Sequence, residues 1–150
     1  MKRIFFLLVS AALITLVACD AQKREITSIE REAKQGNIVD AKTRIDSILQ
    51  TDAKELPTAW VVKADVYMNI FTAEEDSIKE LHQDPLGEAY DALKKAKELD
   101  ENNQLFLVLQ QKELQLSQLL HAAGADAFNE GRYPLASNYF YYSHEINEEL

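Results

Sequence analysis

Few side chains in this 150-residue sequence are of the kinds that do chemistry. Its single cysteine, Cys19, can neither close an internal disulfide nor assemble a thiolate metal site. The three histidines, His82, His121 and His144, are dispersed, with no second ligand at metal-binding spacing. His144 and Glu145 are neighbours in sequence, so on a helix they point to different parts of the surface. There is no Gly-rich phosphate loop and no Gly-x-Ser-x-Gly elbow. Glu74, Glu75 and Asp76 lie in a row, without the alternating ligands and central glycine of a calcium loop. The expectation is a protein with no catalytic residues, no metal and no cofactor, hence not an enzyme.

Cys19 itself has a different use. Lys2 and Arg3 form a short basic start, and Ile4 to Val17 is an apolar run broken only by Ser10 and Thr15. That run is too short to span a bilayer permanently and has the length and flanks of a secretory signal. It ends in Leu16-Val17-Ala18-Cys19, which resembles a bacterial lipobox. The resemblance implies that residues 1–18 are a lipoprotein signal peptide and that Cys19 becomes the first mature residue. It further implies a diacylglyceryl group on the Cys19 sulfur and a palmitate-class acyl chain on the new amino group. Several chains on one residue make a lasting anchor, whereas one is marginal. The whole chain carries −9; without Lys2 and Arg3, 14 basic side chains face 25 acidic ones, a net of −11. Such a chain offers no basic stripe to nucleic acid. Anionic lipid head groups repel it weakly. The lipid, not the surface charge, is therefore what holds it to a membrane of the cell envelope. An aspartate after the lipidated cysteine, as at Asp20, resembles the inner-membrane retention signal of enteric bacteria. That rule does not extend to other phyla, and the reading leans to the outer membrane.

Only 4 glycines and 3 prolines interrupt the chain, and no alternating strand pattern occurs, which favours helices. Self-similarity is clearest in "GADAFNEGRYPLASNYFYYS", Gly124 to Ser143. Here Gly131 is placed to end one helix with φ above zero, and Pro134 falls in the first turn of the next. Tyr133, Ala136 and Phe140 follow at helical spacing. A second unit has Trp60, Ala64 and Tyr67 in its first helix and Ala89, Leu93 and Ala96 in its second. Between them lies the polar surplus "TAEEDSIKELHQD", expected as a short extra helix or a lengthened turn. A degenerate first unit carries Gly36, Ile38, Ala41, Ile45 and Ile48. Gln104 to Glu130 reads as one long helix, with Asn102 or Asn103 as its N-cap.

These units resemble tetratricopeptide repeats, and the layout resembles tetratricopeptide lipoproteins of Bacteroidetes-type bacteria. The resemblance implies an all-α solenoid of antiparallel helix pairs. Three imperfect units are expected in the mature chain 19–150, at about 22–55, 57–103 and 104–150. It also implies a groove lined by the first helix of each unit. Carried onto this chain, the groove positions are Thr58, Val61, Asp65, Met68 and Asn69, then Gln118, His121, Ala125, Phe128 and Asn129. They lack the Lys and Arg of a carboxylate clamp. Tyr139 to Tyr142 are four consecutive aromatics, so Tyr139 and Tyr142 are expected to form an end surface that drives self-association. The functional expectation is a lipid-anchored scaffold or adaptor for a protein partner in the envelope. The alternative is an accessory lipoprotein that holds a small molecule or glycan in the groove.

Overall fold

The computed structural model describes residues 20–150. The signal segment 1–18 and Cys19 lie outside the described residues. Seven α-helices pack together, and no strand occurs among the described residues. They are α1 (20–34), α2 (Ile38–Ile48), α3 (Pro57–Thr72), α4 (Asp76–Lys79), α5 (Pro85–Leu99), α6 (Phe106–Asn129) and α7 (Tyr133–Glu149). None is long and apolar enough to cross a membrane.

Helix α1 buries Ile26, Ile29 and Ala33, one stripe at three- and four-residue spacing. Its acids Glu25 and Glu32 face α2, where Arg44 binds both; Nε lies 3.0 Å from Glu25 Oε1. Ile38, Ala41 and Ile45 carry the matching stripe on α2. A 3-10 turn, Asp52–Glu55, then leads into α3, and the Lys54 carbonyl accepts the Trp60 indole N–H at 2.7 Å. Pro57 opens α3, where its missing N–H costs nothing.

Helix α3 is apolar on nearly every side. Ala59, Val61, Val62, Ala64, Val66, Tyr67, Met68 and Ile70 are all buried, as befits a helix surrounded by others. The polar surplus after it forms the single turn of α4 and packs on α3. Asp84 caps α5 by accepting the Gly87 N–H at 3.0 Å, and Leu86, Ala89, Leu93 and Ala96 turn inward.

The start of α6 differs from the expectation. Neither Asn102 nor Asn103 caps it. Asn103 takes φ +53, and the buried Asp100 accepts the N–H groups of Gln104 and Leu105 at 2.9 and 2.7 Å. A carboxylate at the end of α5 thus organises the whole connection. Gly131 ends α6 with φ +76, a conformation an L-residue reaches only with strain. Helices α6 and α7 run antiparallel, with Ser117 beside Ser143 and Gly124 beside Phe140. A β-carbon at Gly124 would come within 2.9 Å of the Phe140 ring, so glycine permits this approach.

Three tyrosines tie the helices to one another. Tyr67 donates to both Asp46 oxygens at 3.1 Å, joining α3 to α2. Tyr139 donates to Asp84 at 2.8 Å, and Tyr90 donates to Glu145, so α5 and α7 are tied twice. Burial first, then the adjacent carboxylate, raises the pKa of all three phenols above their ordinary value. The folded state therefore keeps these protons where the unfolded chain loses them. Their contribution is complete below about pH 10 and is lost as pH rises beyond it. Tyr139→Phe should cost roughly 1–2 kcal/mol at pH 7, because a hydroxyl bonded to a carboxylate disappears. The gap to wild type should shrink above pH 10. Denaturant midpoints measured between pH 7 and 11 check both the cost and its decline.

Candidate functional site

Helices α1, α3 and α6 lie side by side and leave a trough between them. Its wider part is a cavity of about 360 Å³. Ile26, Val61, Val62, Leu105 and Val108 make its apolar lining, and Lys23, Thr27, Glu30 and Thr58 edge it. Glu30 also edges a second, smaller hollow of about 100 Å³, bounded by Ala33, Lys34, Asp65, Met68, Asn69, Lys112 and Gln115. Helix periodicity explains the lining. Thr58, Val61, Asp65, Met68 and Asn69 recur at three- and four-residue steps along α3, and Val108, Lys112 and Gln115 do so along α6.

The charges of the smaller hollow are matched. Lys112 reaches across from α6 to Asp65 at 2.7 Å, with both side chains mostly buried. Burial raises the Asp65 carboxyl above the usual carboxylate range, and the Lys112 ammonium opposes that rise. Glu30 and Lys34 pair along α1 at 2.6 Å. What remains is an apolar pocket beside a nearly neutral floor, with the Asn69 and Gln115 amides on either side. Such a surface suits an extended, largely uncharged segment.

The ten groove positions expected from the sequence separate into two sets. Thr58 and Val61 line the wide cavity, and Asp65, Met68 and Asn69 line the hollow. Gln118, His121, Ala125, Phe128 and Asn129 line neither. They lie on the side of α6 away from its buried stripe of Leu109, Leu116, Leu120 and Ala127. His121 meets Phe140 edge-on at 5.5 Å, and Phe128 is 57% exposed against Tyr133. The physical reason is the face of α6. Val108, Lys112 and Gln115 share one line along it, and the five expected positions lie about a third of a turn away from that line. The α1 contribution and Val108, Lys112 and Gln115 were missed. The i, i+4, i+7 spacing of the last three was the available signal.

The expected end surface is also corrected. Tyr139 is 4% exposed, with its hydroxyl on Asp84. Tyr142 stacks on Tyr90 at 4.3 Å and 15°. Their rings fill the space between α5 and α7, and the exposed aromatic there is Tyr141. A further hollow of about 440 Å³, near Lys79, His82, Asp126, Glu130 and Arg132, mixes both signs of charge. Among the described residues no group of His, Cys, Asp and Glu is placed to hold a metal. No protein-family model, curated protein or solved structure gives a significant match to the chain.

The Asp65–Lys112 pair supplies a test of the floor. Lys112→Met would leave a mostly buried carboxylate unpaired and should cost about 1–2 kcal/mol at pH 7, below the figure for fully buried pairs. Because the folded carboxyl then holds its proton still more tightly, the loss should diminish as pH falls and Asp65 is protonated. Thermal unfolding at pH 7 and pH 4.5 measures this, and Asp65→Asn combined with Lys112→Met should recover most of the loss at pH 7.

Proposed function

We propose that this protein is a lipid-anchored scaffold of the bacterial cell envelope, held by acylated Cys19. In this reading it binds an extended, mostly uncharged segment of a partner protein between α1, α3 and α6. The observation that carries it is the trough itself, an apolar cavity beside a charge-neutral, amide-bearing hollow that shares Glu30 with it.

The same proposal takes the helices as a short tetratricopeptide-like solenoid of three pairs, α1–α2, α3–α5 and α6–α7. Several features support it. From α2 to α7, apart from the short α4, each helix packs on the next in sequence. Glycines with positive φ separate α1 from α2 and α6 from α7. The trough is walled by the first member of every pair. A scaffold is favoured over a small-molecule carrier because Thr58 and Val108 at the edge are open to solvent, whereas a carrier would enclose its ligand with converging polar groups. The chain's −9 charge makes an acidic partner unfavourable.

Photo-cross-linking from an amino acid placed at Val108 or Asn69, in cells making the full chain, tests the reading. One discrete adduct should form from both positions and be absent from Phe128. It should vanish with Val108→Asp in the Asn69 cross-linker background. Equal adducts from Phe128, or none from either groove position, would overturn the groove. Separately, Cys19→Ser should release the protein from the membrane fraction on immunoblotting, with the acyl mass absent from its N-terminal peptide.

A further inference from the structure

We propose that the tip formed by Phe106 and Leu107 inserts into the lipid surface that carries the anchor, so that the helices stand end-on to the membrane. The inference rests on acylation of Cys19 and adds a second, protein-borne contact.

Phe106, Leu107 and Val108 are 56%, 75% and 43% exposed. Single exposed apolar side chains are ordinary, but three in succession in the first turn of a helix form a patch. Successive helical residues are 100° apart, so these three cannot all turn to the core. Only Val108 has a use in the trough.

Position decides what covers the tip. Leu105 and Val108 share the wide cavity with Lys23 and Ile26, so the start of α6 lies beside the start of α1. Cys19 directly precedes α1 (20–34), four residues before Lys23. A lipid on Cys19 is therefore held at the end of the molecule where Phe106 and Leu107 project. The opposite end, with exposed Phe128 and Tyr133, lies a full α6 away, about 35 Å at 1.5 Å per residue. An anchor this short brings the first end to the bilayer and keeps the second out.

The contact is apolar in origin. Lys23, Arg24 and Lys97 are outnumbered by Asp20, Asp100, Glu101, Glu113 and Glu149, and Lys97 and Glu149, paired at 2.9 Å, line a hollow with Phe106. Anionic head groups would therefore not draw this end in. Phe and Leu side chains favour the acyl boundary on their own account.

The acylated full chain leaves any introduced cysteine as its one free thiol. Leu107→Cys and Tyr133→Cys, both at exposed positions, are labelled with an environment-sensitive fluorophore. Each is reconstituted in phosphatidylethanolamine–phosphatidylcholine vesicles that contain nitroxide-bearing lipid. The label at 107 should shift to the blue and be quenched several-fold more than the label at 133, equally at low and high salt. Acylated protein with equal, weak quenching at both positions would overturn the tip. Self-quenching at 107 that rises with protein density, without nitroxide quenching, would show a second copy covering it and would overturn the proposal too. Absence of the diacylglyceryl mass on Cys19 would overturn the anchoring reading, and this inference with it, and is read from mass spectrometry alone.

Discussion

The close approach of α3 and α5 is the constraint on which the other helices depend. Ala59 on α3, and Ala89, Ala92 and Ala96 on α5, are 0–1% exposed. Side chains this small let two helix axes come near the lower end of their usual 8–10 Å separation. The larger side chains of α3 are thereby left to reach outward in several directions. Tyr67 goes to α2, Lys63 bonds Glu88 of α5 at 2.7 Å, and Asp65 goes to α6. A helix that is apolar all round has no solvent face of its own, so its neighbours must supply one. Helix α3 is where the molecule is most committed, and the trough is the one side its neighbours leave partly open.

The polar ties act differently from the alanine seam. Exposed ion pairs such as Lys95–Glu98 contribute little. The tyrosine–carboxylate bonds and the Arg44 fork sit at partly buried helix edges, where a charge-assisted bond is stronger and geometrically strict. Each joins positions 12 to 55 residues apart in the chain. Apolar packing alone tolerates a helix sliding by a turn more readily than a hydroxyl that must meet one carboxylate. These ties therefore fix which turn of one helix faces which turn of the next. The Ser117–Ser143 hydroxyl pair at 3.0 Å, buried between α6 and α7, has the same effect at the last interface.

Much of this was legible because local chemistry and global packing agree. Gly36 and Gly131 sit at the turns, Pro57, Pro85 and Pro134 open helices, and Ala64, Ala89, Ala96 and Ala136 mark close approaches. The misses share one cause, which is that they depend on partners distant in sequence. Asn102 and Asn103 have the right chemistry for a cap, but Asp100 is better placed once α5 ends where it does. Tyr139 and Tyr142 look unsatisfied in a one-helix view, and only the neighbouring α5 supplies Asp84 and the Tyr90 ring. In the groove, the α3 residues were found because α3 has ordinary length. The α6 residues were displaced because the line of α6 that meets the trough, Val108, Lys112 and Gln115, is set by packing on other helices and not by the helix's own pattern. Glu25 and Glu32 on α1 are accounted for by Arg44 on the next helix, a partner the local sequence does not show.

The distribution of charge bears on what the trough can recognise. The chain is strongly acidic, yet the acids Glu30 and Asp65 within the trough are each met by a lysine. Cancelling charge locally while leaving the rest of the surface negative separates two tasks. The long-range field acts on whatever approaches and disfavours acidic chains. Inside the trough that field no longer decides, and affinity must come from burying apolar surface in the cavity of Ile26, Val61, Val62, Leu105 and Val108. Amides at Asn69 and Gln115 can then meet a backbone whatever its side chains, since an amide both donates and accepts. In the proposed role, a groove built this way would select for shape and apolar fit at one end and for an extended backbone at the other. It would leave the choice among similar partners to the acidic surface around it.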